Sequence, residues 1–177
     1  MAIPHIPCLR FGDPYVSLNK IEVNDYRDGT PKATVSQVNA GVVRRDLQRI
    51  DEARAALRKF TTAELIEIGA KAGEIFLNGK VQIGVEGEMQ SPQEYIETLS
   101  STSGLPHVMV KRNMDKIHYA LTNMQIVLNG LTRGIDLPIL DAGFGEQFGT
   151  QVCFYPTSKA LGLVMPSNSP AVNSLWL

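Results

Sequence analysis

The sequence predicts an α/β fold: short strands first, a helical layer next, and the opening strand of a parallel sheet last. Three observations carry this. Residues 9–38 set apolar positions among polar ones around turn signals, as short strands do. Residues 47–131 repeat apolar side chains three and four apart, as helices do. Residues 160–165 are apolar throughout, which suits a strand buried on both faces of a parallel sheet.

The elements follow in order. Val16, Leu18, Ile21 and Val23 lie in extended segments. Asp28-Gly29 marks a turn, and Ala33-Thr34-Val35-Ser36 is the next strand. Leu47, Ile50, Ala53, Leu57 and Phe60 then mark a helix. Thr61-Thr62-Ala63-Glu64 is a capping box, in which a threonine caps and the glutamate three residues on reaches back. Leu65, Ile68, Ala72 and Ile75 continue as the next stripe, stopped at Asn78-Gly79. Ser91-Pro92-Gln93-Glu94 opens another helix, with serine at the N-cap and proline at the first position. The longest helix runs from near Pro106 to near Gly134. Val110, Met114, Ile117, Leu121, Met124, Leu128 and Leu131 form one stripe over roughly seven turns, or about 40 Å. A helix of that length needs a large partner surface. Residues 135–149 read as glycine-rich and mostly irregular, and residues 151–156 and 160–165 as strands. Pro166-Ser167-Asn168-Ser169-Pro170 breaks the second strand, and residues 171–177 begin a helical segment. A strand and helix that have only begun lead us to expect a piece of a longer protein.

Composition narrows the function classes. A net charge of -1 offers no basic excess for nucleic acid or an anionic membrane. Cys8 and Cys153 lie far apart with no Cys-x-x-Cys, so neither a disulfide framework nor a zinc site is expected. His5, His107 and His118 show no metal-ligand spacing. The first residues lack a basic stretch followed by an apolar run, so no signal peptide is read there. No apolar run approaches about 18 residues, so no membrane helix is expected and a cytoplasmic location follows.

Few residues suggest chemistry. Gly143-Phe144-Gly145-Glu146-Gln147-Phe148-Gly149 precedes a strand instead of following one and misses the dinucleotide spacing, so it reads as a connector. His118, beside the long stripe, reads as a structural histidine. Glu86, Glu88, Glu94 and Glu97 read as a solvated face. The informative segment is Gly162-Leu163-Val164-Met165-Pro166-Ser167-Asn168-Ser169-Pro170. Alone, Asn168 also reads as a turn residue between two prolines.

In context this segment resembles the aldehyde dehydrogenase superfamily, where an early nucleotide-domain strand ends in Pro-x-Asn-x-Pro. Ser167 and Ser169 stand where many members carry tryptophan and phenylalanine. Residues 42–57, the stretch 60–76 and the order of elements over 91–133, including Gly104-Leu105-Pro106, follow the family's rhythm. The resemblance spans residues 21–177 and implies the N-terminal portion of that fold, entering a Rossmann-like sheet. Residues 1–40 would be strands that serve oligomerisation. Residues 41–134 would be the helical part of the cofactor domain, and residues 135–177 the connector and start of the nucleotide-binding sheet.

The resemblance also implies a function. A cysteine thiolate adds to an aldehyde, and Asn168 helps hold the resulting oxyanion. Val164, Met165, Pro166 and Ser167 would border the nicotinamide side of NAD or NADP. Neither Cys8 nor Cys153 matches the nucleophile's position, so the 177-residue chain alone is expected to be inactive. The implied partners are a small aldehyde and further copies of the chain, as a homo-dimer or tetramer. Coenzyme A joins them if the chain belongs to the acylating branch. A non-catalytic assembly module derived from such an enzyme is the alternative from another class.

Overall fold

The computed structural model describes residues 3–85, 87–155, 157–160 and 162. Among these residues the protein is mixed α/β, with seven helices and several small sheets. The first strands are β1 (His5–Ile6), β2 (Cys8–Arg10), β3 (Asp13–Tyr15), β4 (Lys20–Asn24) and β5 (Pro31–Ser36). Helices α1 (Ala40–Gln48), α2 (Ile50–Leu57) and α3 (Thr62–Asn78) follow, then β6 (Val81–Gln82) and β7 (Met89–Gln90). Helices α4 (Pro92–Ser103), α5 (His107–Thr122), α6 (Met124–Thr132) and α7 (Leu137–Ala142) precede β8 (Phe144–Gln147) and β9 (Thr150–Cys153). No described helix is long and apolar enough to cross a membrane.

The chain divides into two compact units. One comprises Met1–Arg49 and Ile75–Asp115; the other comprises Ile50–Glu74 and Lys116–Leu177.

In the first unit, β5 is the centre of a three-stranded sheet. It pairs parallel with β1, and antiparallel with β4. Residues 25–30 turn the chain from β4 to β5 around Asp28-Gly29, with Gly29 at φ +74° donating to the Asp25 carbonyl. Ala33, Val42, Val110 and Met114 are buried. Helix α4 starts as its sequence indicates. Ser91 accepts from the Glu94 N–H, and the Glu94 carboxylate accepts from the Ser91 N–H at 2.7 Å. It ends at Gly104, whose φ of +77° is left-handed. The Tyr26 N–H donates to the Ser101 carbonyl at 2.9 Å, fastening the β4–β5 loop to α4.

In the second unit, Ala120 and Ile139 are buried. Gly73 is also buried, and a Cβ there would lie 3.1 Å from Leu121 Cβ, so α3 and α5 pack closely at this point. The Thr61–Glu64 capping box forms, with the Glu64 carboxylate accepting from the Thr61 N–H at 2.7 Å. Helix α3 ends at Asn78, as the Asn78-Gly79 pair indicates.

Three expectations need correction. The long helix is two helices, interrupted at Asn123 with φ -114° and ψ 22°. The cause is local competition for backbone carbonyls. Thr122 Oγ1 donates to the His118 carbonyl and Asn123 Nδ2 to the Tyr119 carbonyl, both at 2.8 Å. The expected stripe over 47–60 also breaks, at Arg49, whose N–H turns back to the Asp46 and Leu47 carbonyls. Finally, residues 135–149 are ordered secondary structure. They form α7, started by Asp136-Leu137-Pro138, and the β8–β9 hairpin.

That hairpin turns on Phe148 and Gly149, at φ +52° and +71°. The β2–β3 hairpin turns on Phe11 and Gly12, at φ +53° and +89°. Positive φ at both central residues matches the twist of a two-residue hairpin. Both turns therefore use the same Phe-Gly pair.

Candidate functional site

The residues singled out for function, Val164, Met165, Pro166, Ser167 and Asn168, lie outside the described residues. So does most of the expected strand over 160–165; its described members, Ala160 and Gly162, are not in a strand. The approach to that segment is anchored in the second unit. Phe154 N–H donates to the Gly143 carbonyl at 2.7 Å, continuing the hairpin's pairing by one residue. Lys159 Nζ lies 2.7 Å from Asp51 Oδ2, an ion pair with α2. The same contact holds the Asp51 carboxyl below its ordinary range.

The second unit carries an open groove of about 1110 Å³. One wall begins where α2 ends. The Lys59 N–H donates to the Ala56 carbonyl and Phe60 N–H to the Leu57 carbonyl, turning the chain into α3. Asp141, at the end of α7, accepts from the Thr62 N–H at 2.7 Å and from its hydroxyl. This carboxylate satisfies a free donor at the α3 N-terminus. The other wall is the corner at Gly143 and the β8–β9 hairpin. Phe60, Phe144, Phe154 and Tyr155 give the groove exposed aromatic surface, and Arg58 and Lys59 add positive charge.

Among the described residues the groove presents apolar and aromatic surface, and no nucleophile paired with a base lines it. Cys153 lines it, yet no histidine does, and Asp141 is committed to Thr62. A thiol without an adjacent base is not an activated nucleophile. Cys8 is engaged elsewhere, its Sγ donating to the Ser36 carbonyl at 3.1 Å. Among the described residues no group of three or more His, Cys, Asp or Glu could hold a metal ion.

The glycine-rich stretch 143–149 makes no phosphate cradle. Its residues alternate along β8, and a Cβ on Gly145 would meet Ile139 Cγ1 at 2.8 Å. That glycine serves close packing. His118 bonds Glu74 Oε1 through Nε2 at 2.7 Å, linking α5 to α3. On the stripe expected for the long helix, Met114 is buried at 2% exposure and presents nothing to a ligand. Ile117, His118 and Leu121 are half-buried. The acidic residues read as a solvated face divide: Glu94 caps α4, and Glu88 Oε2 is buried with no hydrogen-bond partner among the described residues. Glu97 is exposed and accepts from Gln93 Nε2 at 2.7 Å, whereas Glu86 lies outside the described residues.

Two polar clusters of the first unit escaped the sequence reading. Asp25, with 1% side-chain exposure, accepts from Arg27 Nε at 3.0 Å and Arg27 Nη2 at 2.8 Å, with Lys32 Nζ 3.5 Å away. The Arg27 side chain, then its backbone N–H, holds the Asp25 carboxyl far below the ordinary range. The signal available was an aspartate at the start of a turn. His5 bridges Thr34 Oγ1 at 2.8 Å and Ser36 Oγ at 2.9 Å, and Ser36 Oγ also accepts from the Ser17 N–H. These bonds tie β1 to β5, and only the parallel pairing brings them together.

Comparison with known proteins returned no matching family model, curated protein or solved structure.

Proposed function

We propose that this chain is the N-terminal portion of an NAD(P)-dependent aldehyde dehydrogenase, with Asn168 as an oxyanion-hole donor. The observation that carries the reading is Pro166-Ser167-Asn168-Ser169-Pro170 directly after the apolar run 160–165 of the sequence. The order of elements before it supports the reading. A helix opened by the Thr61–Glu64 box is followed by the Ser91-capped α4, then Gly104-Leu105-Pro106, then α5.

The chemistry asks two things of these residues. The Asn168 amide must point at the oxygen that gains charge when a cysteine thiolate attacks an aldehyde carbonyl. The backbone over Val164–Ser167 must border the nicotinamide. NAD or NADP, when bound, supplies the hydride acceptor. Pro166 and Pro170 flank the asparagine in the sequence, and a proline's fixed φ would restrict the backbone on either side of it. The nucleophile would come from a residue other than Cys8 and Cys153. Self-association as a homo-dimer or tetramer and a cytoplasmic location belong to the same proposal.

The test uses the protein as its native cell makes it. Aldehyde-dependent formation of NADH or NADPH is expected. Asn168→Ala should lower kcat by about 10²–10³, the usual cost of one oxyanion-hole donor, with circular dichroism unchanged. No reduction of either nucleotide across short and long aldehydes, or an unchanged kcat in the variant, would overturn the proposal. Ser167 and Ser169 make the segment more polar than the usual hydrolytic pattern, which leaves acyl transfer to coenzyme A open as a second reading. An acyl-CoA product would establish it; a free carboxylic acid with coenzyme A present would exclude it.

A further inference from the structure

We draw no further inference here: the strongest candidate, the open groove lined by Phe60, Phe144, Phe154 and Tyr155 beside the β8–β9 hairpin, carries nothing because no contact in the structure shows what covers it.

Discussion

A carboxylate withdrawn from water needs charge and hydrogen bonds to replace its hydration. Asp25 obtains both from Arg27 and Lys32, and its backbone closes the loop through Thr30 and Gly29. Its carboxyl is depressed in the folded protein, chiefly by the Arg27 side chain and then by the Arg27 N–H. The sign of the linkage follows. Below about pH 4, the unfolded chain binds a proton that the folded protein still refuses. This contribution is therefore complete above that pH and is lost as the solution becomes more acidic. Asp28, Asp46 and Asp51 are depressed as well, so the whole protein loses stability in the same window. The Asp25 share is the difference between two proteins. Asp25→Asn should lower Tm at neutral pH and lose less than the wild type on acidification to about pH 3. Thermal melts at both pH values read this directly, and parallel losses would show that Arg27 does not depend on this charge. The partner was hidden in the sequence because Asp25-Tyr26-Arg27 looks like any polar turn. Only the burial of Asp25 makes the pair consequential.

At the scale of elements, the two Phe-Gly turns are a matched experiment. Phenylalanine in the left-handed region carries a steric cost of about 1–2 kcal/mol that asparagine partly escapes. At Phe148 no contact among the described residues offsets it, since the side chain is 93% exposed. At Phe11 the ring lies 4.5 Å from the Arg49 guanidinium, a contact of about 0.5–1 kcal/mol. Phe148→Asn should therefore raise stability by about 1 kcal/mol, while Phe11→Asn should gain little or lose. Urea titrations of both variants decide it, and equal gains would discount the Arg49 contact. Removing the α4 cap with Ser91→Ala should cost about 1 kcal/mol, with the helical signal retained in the same titration; an unchanged midpoint would mean the box contributes nothing. Such devices were legible in advance because they are local. Ser91-Pro92-Gln93-Glu94, Thr61–Glu64 and Asn78-Gly79 each specify a helix end within four residues. The break at Asn123 was not legible, because an unbroken 3-4 stripe crosses it and outweighs one Thr-Asn pair. The β8–β9 hairpin was missed for the opposite reason. Its glycines suggested a loose connector, whereas Gly149 is the positive-φ half of a tight turn and Gly145 makes room for Ile139.

For the molecule as a whole, what remained unreadable is which apolar faces are covered. A 3-4 repeat says that a helix has an apolar side, but the partner lies elsewhere in the chain or in another chain. The stripe from Val110 to Leu131 illustrates this. Val110 and Met114 are fully buried, yet Leu131 is 76% exposed. Leu18, Ile126, Phe144 and Tyr155 are likewise open to solvent. The oxyanion assignment rests on Asn168, where the sequence pattern alone speaks. Large apolar side chains left open to water favour association with another chain. The isolated 177-residue chain should therefore self-associate at micromolar concentration and bind an apolar fluorescent dye. Because burial of apolar surface weakens on cooling, the assemblies should dissociate in part toward 0 °C. Sedimentation velocity at two temperatures separates this from charge-driven association, which moderate salt would reverse instead. A chain that sediments as a monomer at every concentration, with no dye signal, would mean that these side chains cover one another in solution. The demand for a partner surface would then disappear, and with it one of the physical supports for reading the chain as part of a larger enzyme.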